Sequence, residues 1–160
     1  GNLFLKKEVK MSTFTQIIYQ VVFGSRKIIP FLNSQNQDRL FAYLAARIRN
    51  MKCIPYKVGG NMDHIHLIVS IHPSVSLSDF VGEVKKSSGN MIKENMNDFY
   101  YFPGWQRGYG GFTYPFSARY NLASYVENQG EHHKKESFEE EYIRLLEEHG
   151  IEFERKYLFD

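Results

Sequence analysis

Residues 62–71 read M-D-H-I-H-L-I-V-S-I. The alternation sets Ile65, Leu67 and Val69 on one side of a strand and His64 and His66 on the other. Two imidazoles then stand side by side on a rigid element. Such a pair is either two half-exposed strand histidines or half of a divalent-metal site.

Working outward, Gly59-Gly60-Asn61 is a turn signal joining this strand in a tight hairpin to another over residues 52–58. On the other side, His72-Pro73 ends the histidine strand. Ser76 or Ser78 then caps a helix to about Glu94, with Leu77, Phe80, Val81, Val84 and Ile92 at the buried spacing. Residues 13–23, T-F-T-Q-I-I-Y-Q-V-V-F, are β-branched and aromatic and predict a long first strand. Asn33 or Ser34 can cap a helix to about Asn50, with Leu40, Phe41, Leu44, Ala45 and Ile48 as its apolar face. A strand from Arg107 to Tyr114 completes the order β-α-β-β-α-β. The fold class is therefore α+β: a ferredoxin-like antiparallel sheet with helices on one face, plus C-terminal helices. If Ile65 and Leu67 meet the covering helices, the histidines look out from the open side of the sheet.

Of the C-terminal helices, one starts at Ser117 or Asn121 and stops near Gly130. Another begins after Ser137 and ends at His149-Gly150. Phe138, Tyr142, Leu145 and Leu146 form its apolar side, and Glu139, Glu140, Glu141, Glu147 and Glu148 make the other side acidic. His132 and His133, seven and eight residues past Tyr125, are within reach of such a metal site but are read as surface histidines flanking a helix end.

At 160 residues, 42% apolar and 16% aromatic, the chain is long enough for one sizeable core and is read as a single domain over residues 11–160. Gly1 is not a natural start and Met11 is a candidate initiator, so residues 1–10 are taken as an extension or tag remnant. The single cysteine, Cys53, excludes an internal disulfide framework and fits a reducing compartment. No apolar run approaches the roughly 18 residues of a membrane span, and no signal-peptide pattern is present, so a cytoplasmic protein without membrane partners is expected. Residues 1–60 carry ten Lys/Arg against two acids, whereas residues 136–160 carry three against nine. A basic half suits a polyanion, and an acidic end suits solubility or shielding of that surface.

Metal chemistry needs further ligands and a reacting group. Tyr125 and Gln129 are four apart on a predicted helix and share a face. Of the eleven tyrosines, only Tyr125 has Gln, Glu, Asp or His at that spacing. A phenol beside an amide ligand can attack a phosphorus centre held by a metal, although a packed helix tyrosine has the same spacing. Lys85, Lys86, Ser87, Ser88 and, within an aromatic stretch, Arg107 are candidate DNA contacts. The aromatics around Arg107 fit either base stacking or core and dimer contacts.

D-H-I-H-L-I-V, K-K-S-S-G-N-M-I, W-Q-R-G-Y-G-G-F-T and Y-V-E-N-Q-G-E-H-H-K-K-E-S-F-E-E-E-Y occur in that order. Together they resemble the single-tyrosine HUH transposases of the insertion-sequence 200/605 type, from about Thr13 to Leu146. The resemblance implies that His64, His66 and Gln129 bind a catalytic divalent ion, Mg²⁺ or Mn²⁺, and that Tyr125 is the nucleophile. It implies single-stranded DNA with hairpins as substrate, cleaved and rejoined at insertion-sequence ends through a 5′-phosphotyrosine. It also implies a homodimer in a bacterial or archaeal cell and no nucleotide cofactor. T-Y-P-F-S-A-R before the tyrosine helix departs from the short polar segment of the family. The rival expectation is a domesticated or non-enzymatic protein that binds single-stranded nucleic-acid hairpins.

Overall fold

The computed structural model of the chain describes residues 12–160, so the reading of residues 1–10 and of Met11 lies outside the described residues. Four strands, β1 (Ile18–Gly24), β2 (Ile54–Asn61), β3 (His64–Ser70) and β4 (Gly110–Tyr114), form one antiparallel sheet in the order β2-β3-β1-β4. Helices α1 (Gln37–Asn50) and α2 (Leu77–Lys93) cross between the strands. The chain closes with α3 (Arg119–Glu127), the single-turn α4 (Gln129–His132) and α5 (Phe138–Glu148). Among the described residues, no helix is long and apolar enough to cross a membrane.

The β-α-β-β-α-β order is the expected one, but the sheet is covered on both faces. Tyr19, Val21 and Phe23 of β1 and Ile65, Leu67 and Val69 of β3 pack under α1 and α2 with Leu40, Leu44, Phe80 and Val84. The alternate residues supply the opposite face. There Ile18 and Ile68 meet Leu122 and Val126 of α3, and Val22 and Phe112 meet Phe138, Tyr142, Leu145 and Leu146 of α5. The C-terminal helices thus close the side that the sequence left open, with α3 and α5 burying their apolar residues against it. His64 and His66 are fully buried there.

The hairpin turns later than the glycines suggest. β2 runs through Gly59 and Gly60 to Asn61, which pairs with His64, so Met62 and Asp63 make the turn. Met62 adopts a left-handed φ of 53°. Its carbonyl accepts the backbone N–H groups of Phe31 and Leu32, both at 2.8 Å, and that of Asp63 accepts Ser25 N–H at 2.8 Å. The glycine at 59 serves close approach: a Cβ there would lie 2.6 Å from Val126 Cγ1, where α3 rests directly on the strand.

Helix starts follow side-chain chemistry. Ser76 accepts from Asp79 N–H at the head of α2, and Ser137 forms a capping box with Glu140 at the head of α5. Asn33 instead accepts from the N–H groups of Gln35 and Asn36 in a local turn, so α1 begins at Gln37. The predicted single helix over the tyrosine breaks at Asn128, where ψ is 15°, before one further turn. Phe99 and Trp105 of the aromatic stretch are core residues, whereas Tyr100 and Tyr101 are exposed.

Candidate active site

β3 delivers His64 and His66 into the layer between the sheet and α3–α5, and the clamped turn fixes the strand's first residue. Phe138 stacks on His64 with ring centroids 4.0 Å apart and an interplanar angle of 7°. Gly24 admits that ring, since a Cβ there would lie 2.7 Å from Phe138 Cε2. His64 Nδ1 is 2.7 Å from Asp63 Oδ1 and His66 Nδ1 is 2.8 Å from Gln20 Oε1. Both Nε2 atoms therefore aim at α4 and α5.

Four ligand-type atoms close a ring there. His64 Nε2 lies 2.9 Å from Gln129 Oε1, which lies 2.8 Å from His133 Nε2. His133 Nε2 lies 3.0 Å from Glu141 Oε1, which returns to His64 Nε2 at 3.3 Å. His66 Nε2 approaches the same Glu141 oxygen at 3.0 Å. Glu141 Oε2 accepts from Gln129 Nε2 at 2.9 Å and from the Tyr125 hydroxyl. Arg144 Nη2 donates to Tyr125 Oη at 2.7 Å and is held in turn by Glu136. Tyr125, His64, His66 and Gln129 are thus brought together within one chain, with the Tyr125 and His66 ring centroids 6.0 Å apart.

Proton accounting tests whether this cluster suits a cation. Asp63 is an acceptor and Gln20 spends its amide hydrogens on Tyr114 Oη, so each Nδ1 must be the donor. The Nε2 atom of a neutral His64 or His66 is then a lone pair. Gln129 likewise donates to Glu141 Oε2 and turns its own oxygen to the histidines. Lone pairs of imidazole, amide and carboxylate therefore converge, which added protons or a divalent cation resolves. The cluster fits such an ion. In its absence, burial lowers His64, but the hydrogen bonds to Asp63 and Glu141 outweigh it and its pKa rises. Burial dominates at His66, whose pKa falls despite the neighbouring Glu141 carboxylate. Burial raises Glu141, and the imidazoles of His66, His133 and His64 more than offset that, holding the carboxylate ionised. Burial and then Glu141 raise the Tyr125 phenol against the opposing Arg144.

Several residues depart from their sequence reading. Glu141, assigned to an acidic surface, is 0% exposed at the centre of the cluster. Of the two readings for His132 and His133, approach to the site holds for His133, which joins the ring, whereas His132 stays partly exposed with its Nε2 3.4 Å from Tyr125 Oη. Glu141 was legible: it sits three residues after Phe138 and four before Leu145, on the apolar stripe of α5. Gln20 and Arg144 had no local signal.

The candidate DNA contacts lie apart from this cluster. Lys85 Nζ donates to the carbonyls of Gln106, Arg107 and Gly108 at 2.7, 3.1 and 2.8 Å, and burial pushes its pKa down to about 8. Ser87 and Ser88 donate to the Glu83 and Val84 carbonyls of their own helix, and Ser88 also accepts from Trp105 Nε1 at 3.1 Å. In the chain alone these three side chains are thus engaged by internal acceptors, Ser87 and Ser88 buried and Lys85 half-buried. Lys86 and Arg107 are exposed.

A protein from Deinococcus radiodurans R1 assigned as a transposase has a similar fold, with a TM-score of 0.60 at 18% identity, covering 77% of this chain and 98% of its own. The structure of a REP-associated tyrosine transposase bound to a REP hairpin aligns with a TM-score of 0.51 at 12% identity, covering 80% of this chain and 74% of its own. No curated protein matches the chain in sequence. The family model described as "Transposase IS200 like" matches residues 13–129, a span that holds His64, His66, Tyr125 and Gln129, and the chain therefore belongs to the IS200-like transposase family.

Proposed function

We propose that this transposase cleaves and rejoins single-stranded DNA at insertion-sequence ends by metal-assisted transesterification, with Tyr125 as the nucleophile. The observation that carries the reading is the shared carboxylate: Glu141 accepts from the Tyr125 hydroxyl on one oxygen and meets the histidine Nε2 atoms on the other. His64, His66 and Gln129 would hold a divalent ion, Mg²⁺ or Mn²⁺, which when bound polarises a phosphoryl oxygen and stabilises developing charge. Burial keeps Tyr125 a phenol at rest. As its oxygen bonds to phosphorus, its proton leaves along the existing hydrogen bond to Glu141, which relays it to water and stays ionised, and Arg144 stabilises the charge left on the phenolic oxygen. The bond from phosphorus to the 3′ oxygen breaks, leaving a 5′-phosphotyrosine and a 3′-hydroxyl that takes one proton from water, balancing the one that Tyr125 released. One phosphodiester replaces another, so rejoining is the reverse step and needs no nucleotide cofactor. Tyr125 serves the histidines of its own chain, and a homodimer would supply two such sites for the two ends of an element. DNA hairpins are the proposed recognition feature, supported by the structural relative bound to a REP hairpin.

Covalent capture tests the reading. Single-stranded oligonucleotides from the gene's flanks, chosen for imperfect palindromes, are incubated with protein and Mn²⁺ and resolved on denaturing gels. A protein–DNA adduct is expected, lowered on the order of 10⁴-fold by Tyr125→Phe and similarly by His64→Ala. Salt-sensitive hairpin binding without an adduct would replace the enzyme by a domesticated binding protein.

A further inference from the structure

The family match ends at Gln129, but the cluster of ligand atoms does not: His133 and Glu141 lie beyond it and supply half of the ring. We propose that His133 and Glu141 join His64, His66 and Gln129 as ligands of the ion, and that the centre therefore prefers a first-row transition ion to Mg²⁺. This deepens the metal-assisted reading above and rests on it.

The ring edges carry the argument. Neighbouring ligands of one ion at roughly 2.1 Å stand about 3.0 Å apart in an octahedral arrangement. The four edges here are 2.9, 2.8, 3.0 and 3.3 Å. The ligand atoms of His64, His133 and Glu141 form a mutually close set, all within 4.8 Å of one another, and His66 adjoins that set through Glu141 Oε1. The outer contacts are those that orient metal ligands: Asp63 on His64 Nδ1, and Gln129 Nε2 with the Tyr125 hydroxyl on Glu141 Oε2. A second group, His132, Glu136 and Glu141, could also be drawn together. The Arg144 guanidinium already stands among it, 3.4 Å from His132 and 3.2 Å from Glu136, so that place is taken by a cation of the chain itself.

Ligand chemistry gives the selectivity. Mg²⁺ favours oxygen ligands and retains waters, whereas imidazole nitrogens suit the ions from Mn²⁺ to Zn²⁺. Two imidazoles in the ring, a third beside it and a single carboxylate form a nitrogen-rich set. Because α5 supplies Glu141, the ion also ties that helix and Tyr125 to the sheet.

The test is metal binding by the full chain without DNA. Mn²⁺, Co²⁺ and Mg²⁺ are titrated calorimetrically, with visible absorption for Co²⁺ and pulsed EPR for Mn²⁺. Wild type is expected to bind one ion, Mn²⁺ or Co²⁺ roughly 100-fold more tightly than Mg²⁺. Glu141→Gln and His133→Gln, checked for fold by circular dichroism, should each weaken Co²⁺ binding by roughly 10- to 100-fold. His133→Gln should also lose one imidazole nitrogen coupling to Mn²⁺. If Glu141→Gln does not fold, Glu141→Asp replaces it, and unchanged Co²⁺ affinity there counts against the proposal. Wild-type affinity in both Gln variants, with binding lost in His64→Ala, would overturn the extended ligand set and leave the proposed function intact. A wild-type chain that binds none of the three ions would overturn the metal-assisted reading itself.

Discussion

Along β3, Ile65, Leu67 and Val69 face α1 and α2, while His64 and His66 face α3–α5, and all five are 0% exposed. On the first face the neighbours are hydrocarbon and aromatic, so fit and buried area set the energy, at about 1.5–3 kcal/mol per large side chain. On the second face two small apolar clusters flank a polar centre in which every side chain has a named partner. One strand thus carries stability on one side and chemistry on the other. The polar centre is tolerated in the interior because its outer groups are hydrogen-bonded within the chain, while the acceptor atoms that converge at its middle call for added protons or an ion.

The comparison breaks first at Leu67. Leu67→Ala should lower stability by about 2–5 kcal/mol in urea denaturation, while the fraction still folded captures DNA as wild type does. A loss of capture beyond the loss of folded protein would mean that the two faces are not separable. Gly59→Ala sharpens the boundary, since the new Cβ would press on Val126, the neighbour of Tyr125. A stability loss of about 1–3 kcal/mol is expected. Covalent capture should fall further than stability accounts for, as α3 is displaced; unchanged capture would show that α3 can shift without moving its tyrosine. The smallest effect belongs to Ser137→Ala, which removes the cap of α5 and should cost about 1 kcal/mol in thermal or urea unfolding. If α5 is ion-tied through Glu141, saturating Mn²⁺ should raise the unfolding free energy of wild type and Ser137→Ala alike, and no stabilisation of either by Mn²⁺ would argue against the tie.

Much of this was legible from residues alone. Alternation in residues 62–71 sorted the two faces of β3, helix periodicity found α1, α2 and α5, and Ser76, Ser137 and Gly150 marked helix ends because capping is local chemistry. Helical spacing put Tyr125 and Gln129 near one another, although the helix breaks at Asn128 and they meet through Glu141 Oε2. Gly59 misled because glycine signals both turns and close approach, and only the docking of α3 tells which applies. Lys85, Ser87 and Ser88 misled because a polar residue on a helix reads as solvated until its neighbours are known.

Spacings within single segments were enough to give the order of elements, the side of β3 on which the histidines stand, and His64, His66, Tyr125 and Gln129 as candidates for ligand or nucleophile. The tertiary structure decided that the histidine face is covered and that Glu141 and His133 reach His64 across 77 and 69 residues of chain. It also made Arg144 a neighbour of Tyr125. Those contacts join segments through the docking of α3 and α5 on the sheet. Docking is driven by non-directional apolar burial, and no local pattern encodes which polar groups it brings face to face.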